Sequence, residues 1–346
     1  MKKIVSIFLA ILMLATALPA MAAQEVVNVY NWYDYICEEA LDLFEQETGI
    51  KVNYTCFTTN EDMLVQVRAD PTNYDVIFPS DYVIERLISE DLLEELDFSN
   101  IPNAAYTLDW LKNPSYDPDM KYSVPYMWGT VGILYNTTMV KEPITSWTAM
   151  WDDDYYDNVF MMDSIRDTIG VTLKMLGYSV NTRDKDALNE VKDKLLEQQQ
   201  KGIVKAYQVD EIKDKMIAGE AAMGLVWSGD AAYAIGYNDD LDYVVPDEGS
   251  NVWVDAVCIP KGAKNKSNAE IFIDFMCRPD IALLNFEEIW FSTPNTGAIA
   301  LLDEETLADE TIFPTQETID RCEFFDDISQ DINTYNMIWL SVKSGR

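Results

Sequence analysis

The 346-residue chain carries 60 acidic against 25 basic residues, a formal net charge of −35, and no histidine. So negative a surface repels nucleic acid and anionic lipid and concentrates cations, while the missing imidazole removes Ser-His-Asp and Cys-His nucleophiles, His-ligated metals and imidazole acid–base steps. A composition that is 48% hydrophobic and 12% aromatic excludes disorder.

Residues 1–23 read as an export signal: Lys2 and Lys3, an apolar run from Ile4 to Leu18, then small residues leading to cleavage near Ala22/Ala23. The run is too short and wrongly flanked for a membrane span, and no cysteine stands near the cleavage point to carry a lipid. About 320 residues remain, enough for two domains that each bury a core. Next, a strand at Val26–Tyr30 leads to a helix near Glu38–Glu47 that Gly49 stops, then to a strand at Lys51–Phe57. A helix capped by Asn60, the apolar strand Tyr74–Phe78, and a helix from Ser80 to about Glu90 with Val83, Ile84, Leu87 and Ile88 on one face complete a first α/β lobe. This alternation predicts parallel βαβ units.

Between Asp97 and Tyr126, four prolines (102, 114, 118, 125) mark a long irregular connection. Alternation resumes after Gly129 with "GILYN", a strand at Asn158–Met162, a helix from Asp167 to about Leu176, a charged helix over Lys185–Gln200, and strands at Ala222–Val226 and Asn251–Ile259. This is a second α/β lobe. No phosphate-binding glycine loop is present, and "DPDM" and "NDDLD" lack calcium-loop spacing, so they read as solvated turns. The five cysteines are widely spaced with no CxxC; mostly buried thiols are expected, with one or two disulfides open to an exported protein.

Ligands of open α/β sheets lie beyond the carboxyl ends of the strands, and those ends repeat one theme. Trp32, Tyr33, Asp34 and Tyr35 follow the first strand; Ser80, Asp81 and Tyr82 follow the strand ending at Phe78. Asp163, Ser164 and Asp167 follow Met162, and "WSGD" runs from Trp227 to Asp230. Trp253 and Asp255, two apart on a strand, share a face. An alkylammonium ion needs such surroundings: carboxylates and hydroxyls for its three N–H donors, and rings that wall its methylenes and attract its charge. Acids without matched bases would repel one another until a cation joined them. Taken singly, Trp253 reads as core, Asp230 as a helix cap, Ser80 as an N-cap, and Asp81 with Asp152–Asp154 as solvated surface. The recurrence of acid beside ring at successive strand ends is what favours a cation site.

In "YNWYDYI", "YDVIFPSDY", "YSVPYMWGTVGILYN", "WDDDYYDNVFMMDSIRD", "MGLVWSGDAA", "VWVDAVCIPKGAKN", "STPN" and the tail "KSGR", the chain resembles the periplasmic spermidine/putrescine-binding proteins of polyamine ABC transporters over essentially its whole mature length. The resemblance implies the two-lobed, type II-like periplasmic binding protein fold, each lobe an α/β sheet, joined by crossing hinge strands. Residues 24–128 with 256–301 would form one lobe, and 129–255 with 302–346 the other. It implies Trp32, Asp34, Tyr35, Ser80 and Tyr82 as the first lobe's ligand contacts, and Asp167, Trp227, Asp230, Trp253 and Asp255 from the second lobe and the crossing. Asp255 would hold one terminal amine, Asp34 and Asp230 would serve amines along the slot, and Trp227 and Trp253 would flank the chain. Two further site positions depart from relatives: Tyr33 stands where they carry Ser or Thr, and Phe291 where Tyr is usual. Phe325 replaces a Gln, Ser164 replaces an Asp, and Asp230 matches the putrescine binder, which leaves putrescine against spermidine open.

The function so implied is a non-enzymatic, monomeric periplasmic receptor with no cofactor, metal or nucleic-acid partner. It would deliver putrescine or spermidine to permease subunits in the inner membrane. The alternatives are a receptor of the same fold for another organic cation or small solute, and a hydrolase built on paired carboxylates.

Overall fold

A computed structural model describes residues 24–345; the export signal expected over residues 1–23 lies outside them. No described helix is long and apolar enough to cross a membrane.

The first part of the chain alternates β1 (Val26–Trp32), α1 (Glu38–Thr48), β2 (Lys51–Phe57), α2 (Asn60–Ala69), β3 (Val76–Ile77) and α3 (Asp81–Ser89). Helix α1 opens on Glu38 and Glu39, which favour the positive end of its dipole. It closes on Gly49 at φ +73, whose N–H returns to the Glu45 carbonyl. The cap of α2 is Thr59, which accepts the Asp62 N–H, so the expected cap Asn60 is instead the first helical residue, buried and turned to other work. As expected, β1 pairs in parallel with both β2 and β3.

The irregular stretch contains only short 3₁₀ turns, at Pro102–Tyr106, Asp109–Leu111 and Pro118–Met120. It ends in β4 (Ser123–Asn136), a 14-residue strand buried along almost its whole length. Then follow β5 (Val159–Met162), α4 (Ile165–Met175), α5 (Lys185–Gln200), β6 (Val204–Gln208), α6 (Glu211–Ile217), β7 (Met223–Trp227), α7 (Ser228–Tyr237), β8 (Leu241–Val244) and β9 (Val252–Cys258). Six helices follow among the described residues: α8 (Lys266–Met276), α9 (Pro279–Ile289), α10 (Thr296–Ile299), α11 (Glu304–Ala308), α12 (Gln316–Arg321) and the carboxyl-terminal α13 (Ile332–Ser344).

The two halves share a hydrogen-bonded strand order, β2-β1-β3-β9-β4-β7-β5-β6, with β8 also on β4. Parallel pairing holds within each half, between β5 and β6 and between β5 and β7. The strands that join the halves are antiparallel, which the βαβ reading did not anticipate. Residues Ser123–Thr130 of β4 pair with β9, while Val131–Tyr135 pair with β7 and Ile133–Asn136 with β8. The β4–β9 register slips between Pro125 and Met127, leaving Tyr126 as an extra residue. A proline, which cannot donate to a ladder, is tolerated at such a bulge.

All five cysteines are free thiols. Only Cys258 is fully buried; the other four are partly exposed, so the expectation of mostly buried thiols holds for one of five.

Gly249 joins β8 to β9 at φ +81, and a Cβ there would strike the Arg321 carbonyl. Its own carbonyl accepts the buried Trp147 indole N–H at 2.8 Å. Gly249→Ala therefore combines left-handed strain with a backbone clash, and is expected to lower stability by about 3 kcal/mol, measured as a reduced urea midpoint at unchanged slope.

Candidate functional site

Asp255 lies on β9 opposite the bulge, paired with Met127 and 7% exposed. Its Oδ1 accepts the Ser80 hydroxyl at 2.6 Å. Asn60 Nδ2 donates to that Ser80 oxygen at 2.9 Å and to the Tyr82 hydroxyl at 3.2 Å. Ser80 stands at the N-cap of α3, yet its side chain makes no capping bond, because its hydroxyl serves Asp255. A backbone bridge between Ser80 and Asp255, and the Ala256 N–H to the Pro79 carbonyl at 3.1 Å, hold the two chains together.

Other buried carboxylates set the scale for how such a group is normally satisfied. Asp75 accepts four bonds, two from Asn28 and two from Asn265, at 2.7–2.9 Å. Asp117, the first residue of the "DPDM" stretch expected to be a solvated turn, is instead buried and also accepts four, from the Lys121, Tyr122 and Ser123 N–H groups and the Ser123 hydroxyl. Asp255 takes one, from Ser80, among the described residues. The buried Tyr35 hydroxyl sits beside it and favours its charge without closing a regular hydrogen bond, and the Trp253 indole N–H is also buried and unpartnered. Burial pushes the Asp255 carboxyl up to about 6, against the Ser80 bond and the neighbouring Tyr35 hydroxyl, which both favour its charge.

Rings close around this carboxyl. Trp253 meets Phe291 edge-on at 5.1 Å between centroids, Phe291 meets Tyr35 at 5.8 Å, and Tyr35 meets Tyr126 at 5.6 Å. Two glycines permit the approach. A Cβ on Gly129 would fall 2.7 Å from both Ser228 Oγ and the Trp253 ring, and one on Gly229 would enter the Phe291 ring. The first turn of α7 is thereby seated against Trp253 and Phe291. Trp227 ends β7 half-buried. Trp32 is half-buried at the end of β1 and donates its indole N–H to the Phe78 carbonyl at 2.8 Å.

A second group forms at the start of α4. Asp167 is buried and accepts the Ser164 hydroxyl, and burial raises its pKa against the pull of Ser164 and Arg166. The Arg166 guanidinium lies 4.1 Å from the Phe325 centroid and 5.4 Å from that of Tyr82. It donates to the Asp326 carbonyl and to Asn181 Oδ1 at 3.0 and 3.1 Å. Asp163, beside Ser164, is bound by Lys343 at 2.8 Å.

Of the expected site residues, Tyr35, Ser80, Tyr82, Trp253, Asp255 and Phe291 are thus assembled by direct contacts. Asp34 is exposed at φ +47, and Tyr33 is 64% exposed, so these two project outward from the loop after β1. Asp230 does not cap α7; Lys213 of α6 binds it at 2.9 Å.

Asp81 corrects the expectation of a solvated acid. It is fully buried, accepts the Tyr82 N–H at 2.7 Å and the Val254 N–H at 3.4 Å, and burial holds its pKa well above the usual carboxylate range. Strand β9 covers the first turn of α3. Asp81 precedes Ile84 by three residues, on the face that helical spacing assigns to the core. In the sequence Asn60 reads only as a helix cap, and Tyr126, Arg166 and Lys213 carry no mark of a role, because a contact with a distant segment leaves no periodic trace.

The model of the bacterial extracellular solute-binding protein family matches residues 39–315. The spermidine/putrescine-binding periplasmic protein of Escherichia coli (strain K12) is 34% identical over 92% of this chain and 91% of its own. The putrescine-binding periplasmic protein PotF of the same organism is 27% identical over 100% and 99%. The crystal structure of the spermidine/putrescine ABC transporter substrate-binding protein PotD from Streptococcus pneumoniae superposes with a TM-score of 0.83 at 39% identity, covering 93% of this chain and 99% of that one.

Because its pKa is raised by folding, Asp255 favours the folded state while protonated. That contribution is complete below about pH 4 and lost as pH rises through about 6. Asp255→Asn keeps a neutral side chain at every pH. The variant is therefore expected to be more stable than the unmodified, ligand-free protein at pH 8, by roughly 1 to 3 kcal/mol, with the gap closing by pH 4. Urea unfolding at the two pH values measures it, and a gap that stays constant would contradict the assignment.

Proposed function

Because the chain belongs to the bacterial extracellular solute-binding proteins, we propose that it captures a polyamine, putrescine or spermidine, and delivers it to the permease of an ABC transporter. The observation that carries this reading is Asp255: a buried carboxyl with one protein donor, set among rings, beside an unpartnered tyrosine hydroxyl and indole N–H. An ammonium group supplies what such an oxygen lacks, a positive charge with three N–H donors. Each well-placed ring adds about 0.5 to 2 kcal/mol of attraction for that charge, and Trp253, Phe291 and Tyr35 give the methylene chain its apolar walls.

Ser80 and Asn60 keep Asp255 aimed, and Tyr82 joins the same network. Asp34, exposed on its loop, is available to a second amine, and Trp32, Tyr33 and Trp227 line the approach. Asp167 sits beside Arg166, which offsets its charge. The moving bodies in this reading are residues 24–128 with 256–301 and residues 129–255 with 302–346, with β4 and β9 as the strands between them. A ligand favours closure only through higher affinity for the closed arrangement, which contacts from both bodies provide. The receptor works in the periplasm after losing its export signal, as a monomer and without catalysis. The Escherichia coli relatives are named as periplasmic binders of spermidine or putrescine, and the Streptococcus pneumoniae protein as an ABC transporter substrate-binding protein.

Titration calorimetry with putrescine, cadaverine, spermidine, spermine and arginine tests the reading. Putrescine or spermidine is expected to bind, and Asp255→Asn to weaken that binding more than tenfold, the scale of one charge-assisted contact. Unchanged affinity in the variant would remove Asp255 from the site. Failure of every polyamine to bind would remove the function.

A further inference from the structure

Lys213 touches none of the residues gathered around Asp255. It lies on α6, packed against α7, and its ammonium reaches Asp230 Oδ1 at 2.9 Å. The same nitrogen is 5.5 Å from the centroid of Tyr233, whose ring packs on Tyr237 at 4.7 Å. A primary alkylammonium held by a carboxylate and an aromatic ring is the arrangement a polyamine amine would require. Here the protein supplies that amine itself.

The position makes the pair consequential. Asp230 follows Ser228, which with Trp253 closes on Gly129, and Gly229, which packs on Phe291, so it stands in the turn of α7 that lies against the walls of the site. The two partners differ in depth: the Asp230 side chain is 13% exposed and that of Lys213 is 31%. Burial therefore raises the Asp230 pKa despite its partner, whereas for Lys213 the pull of Asp230 outweighs burial. Asp210 and Asp214 also face the ammonium, so Lys213 meets a negative field if it leaves Asp230 and can be displaced without stranding its charge.

We propose that Lys213 is a specificity-determining residue: its ammonium competes with a ligand amine for Asp230, and so sets how many amines the site will accept. A monoamine satisfied by Asp255 ignores this competition. A diamine or triamine that reaches Asp230 must first displace Lys213. The inference rests on the polyamine reading above, and goes beyond it by making one acid of the slot conditionally available.

The test compares the unmodified protein with Lys213→Met by titration calorimetry, using 1-butylamine, putrescine and spermidine. Expected is a gain of about tenfold, the worth of one charged contact, for at least one of the two polyamines. Butylamine should stay within twofold, and adding Asp230→Asn to Lys213→Met should cancel the gain. Less than a twofold change for both polyamines, or weaker binding, overturns the proposal and leaves Lys213 a structural partner of Asp230. Lys213→Gln, with melting temperatures for each variant, separates an altered site from an altered fold. If the unmodified protein binds no polyamine, the functional reading fails with this one; if it binds and Lys213→Met changes nothing, only this inference fails.

Discussion

A carboxylate that leaves water needs either a full set of donors or a cation. Asp75 and Asp117 take the first route, each gathering four hydrogen bonds from neighbouring amides and hydroxyls. Asp255 has taken neither in full: one hydroxyl attends it, and burial holds its proton affinity high. Much of the surrounding architecture bears on that carboxyl. Strand β9 carries it, α3 presents Ser80 to it, Asn60 fixes Ser80, and two glycines let Trp253 and Phe291 close in.

The same accounting separates the other acids into kinds. Asp81 is fully buried beneath β9 with two backbone N–H groups, and burial raises its pKa well above the usual carboxylate range. Asp167 leans on Ser164 and has Arg166 next to it; Asp230 has Lys213; Asp34 stays in solvent. A chain with so large an excess of negative charge could have crowded its cleft with repelling carboxylates. Instead it matches, buries against backbone N–H groups or exposes most of them, and leaves Asp255 with a single hydrogen bond among the described residues.

The sequence made the strand ends legible because they combine two independent signals, a hydrophobic run and a polar stop. β1, β2, α3, β5, α5 and β9 all emerge from period and punctuation close to where they stand. What it hid was pairing across distance. Antiparallel joining of the halves through β4 and β9 leaves no local mark, and the weakly apolar β6 and β8 carry too little alternation to stand out. The site divides in the same way. Tyr35, Trp253 and Asp255 were legible as rings and an acid at strand ends. Asp81 was misjudged because its burial comes from β9, far along the chain, and Lys213 was invisible because its meaning depends on Asp230.

The extra residue in β4 has a mechanical consequence. Tyr126 bulges from the strand that runs through both halves, and its hydroxyl donates to the Tyr35 carbonyl at 2.9 Å while its ring rests on Phe78 at 4.8 Å. Bulges concentrate strand curvature. A change of curvature at this bulge would therefore act on a tyrosine hydrogen-bonded to the loop that carries Asp34.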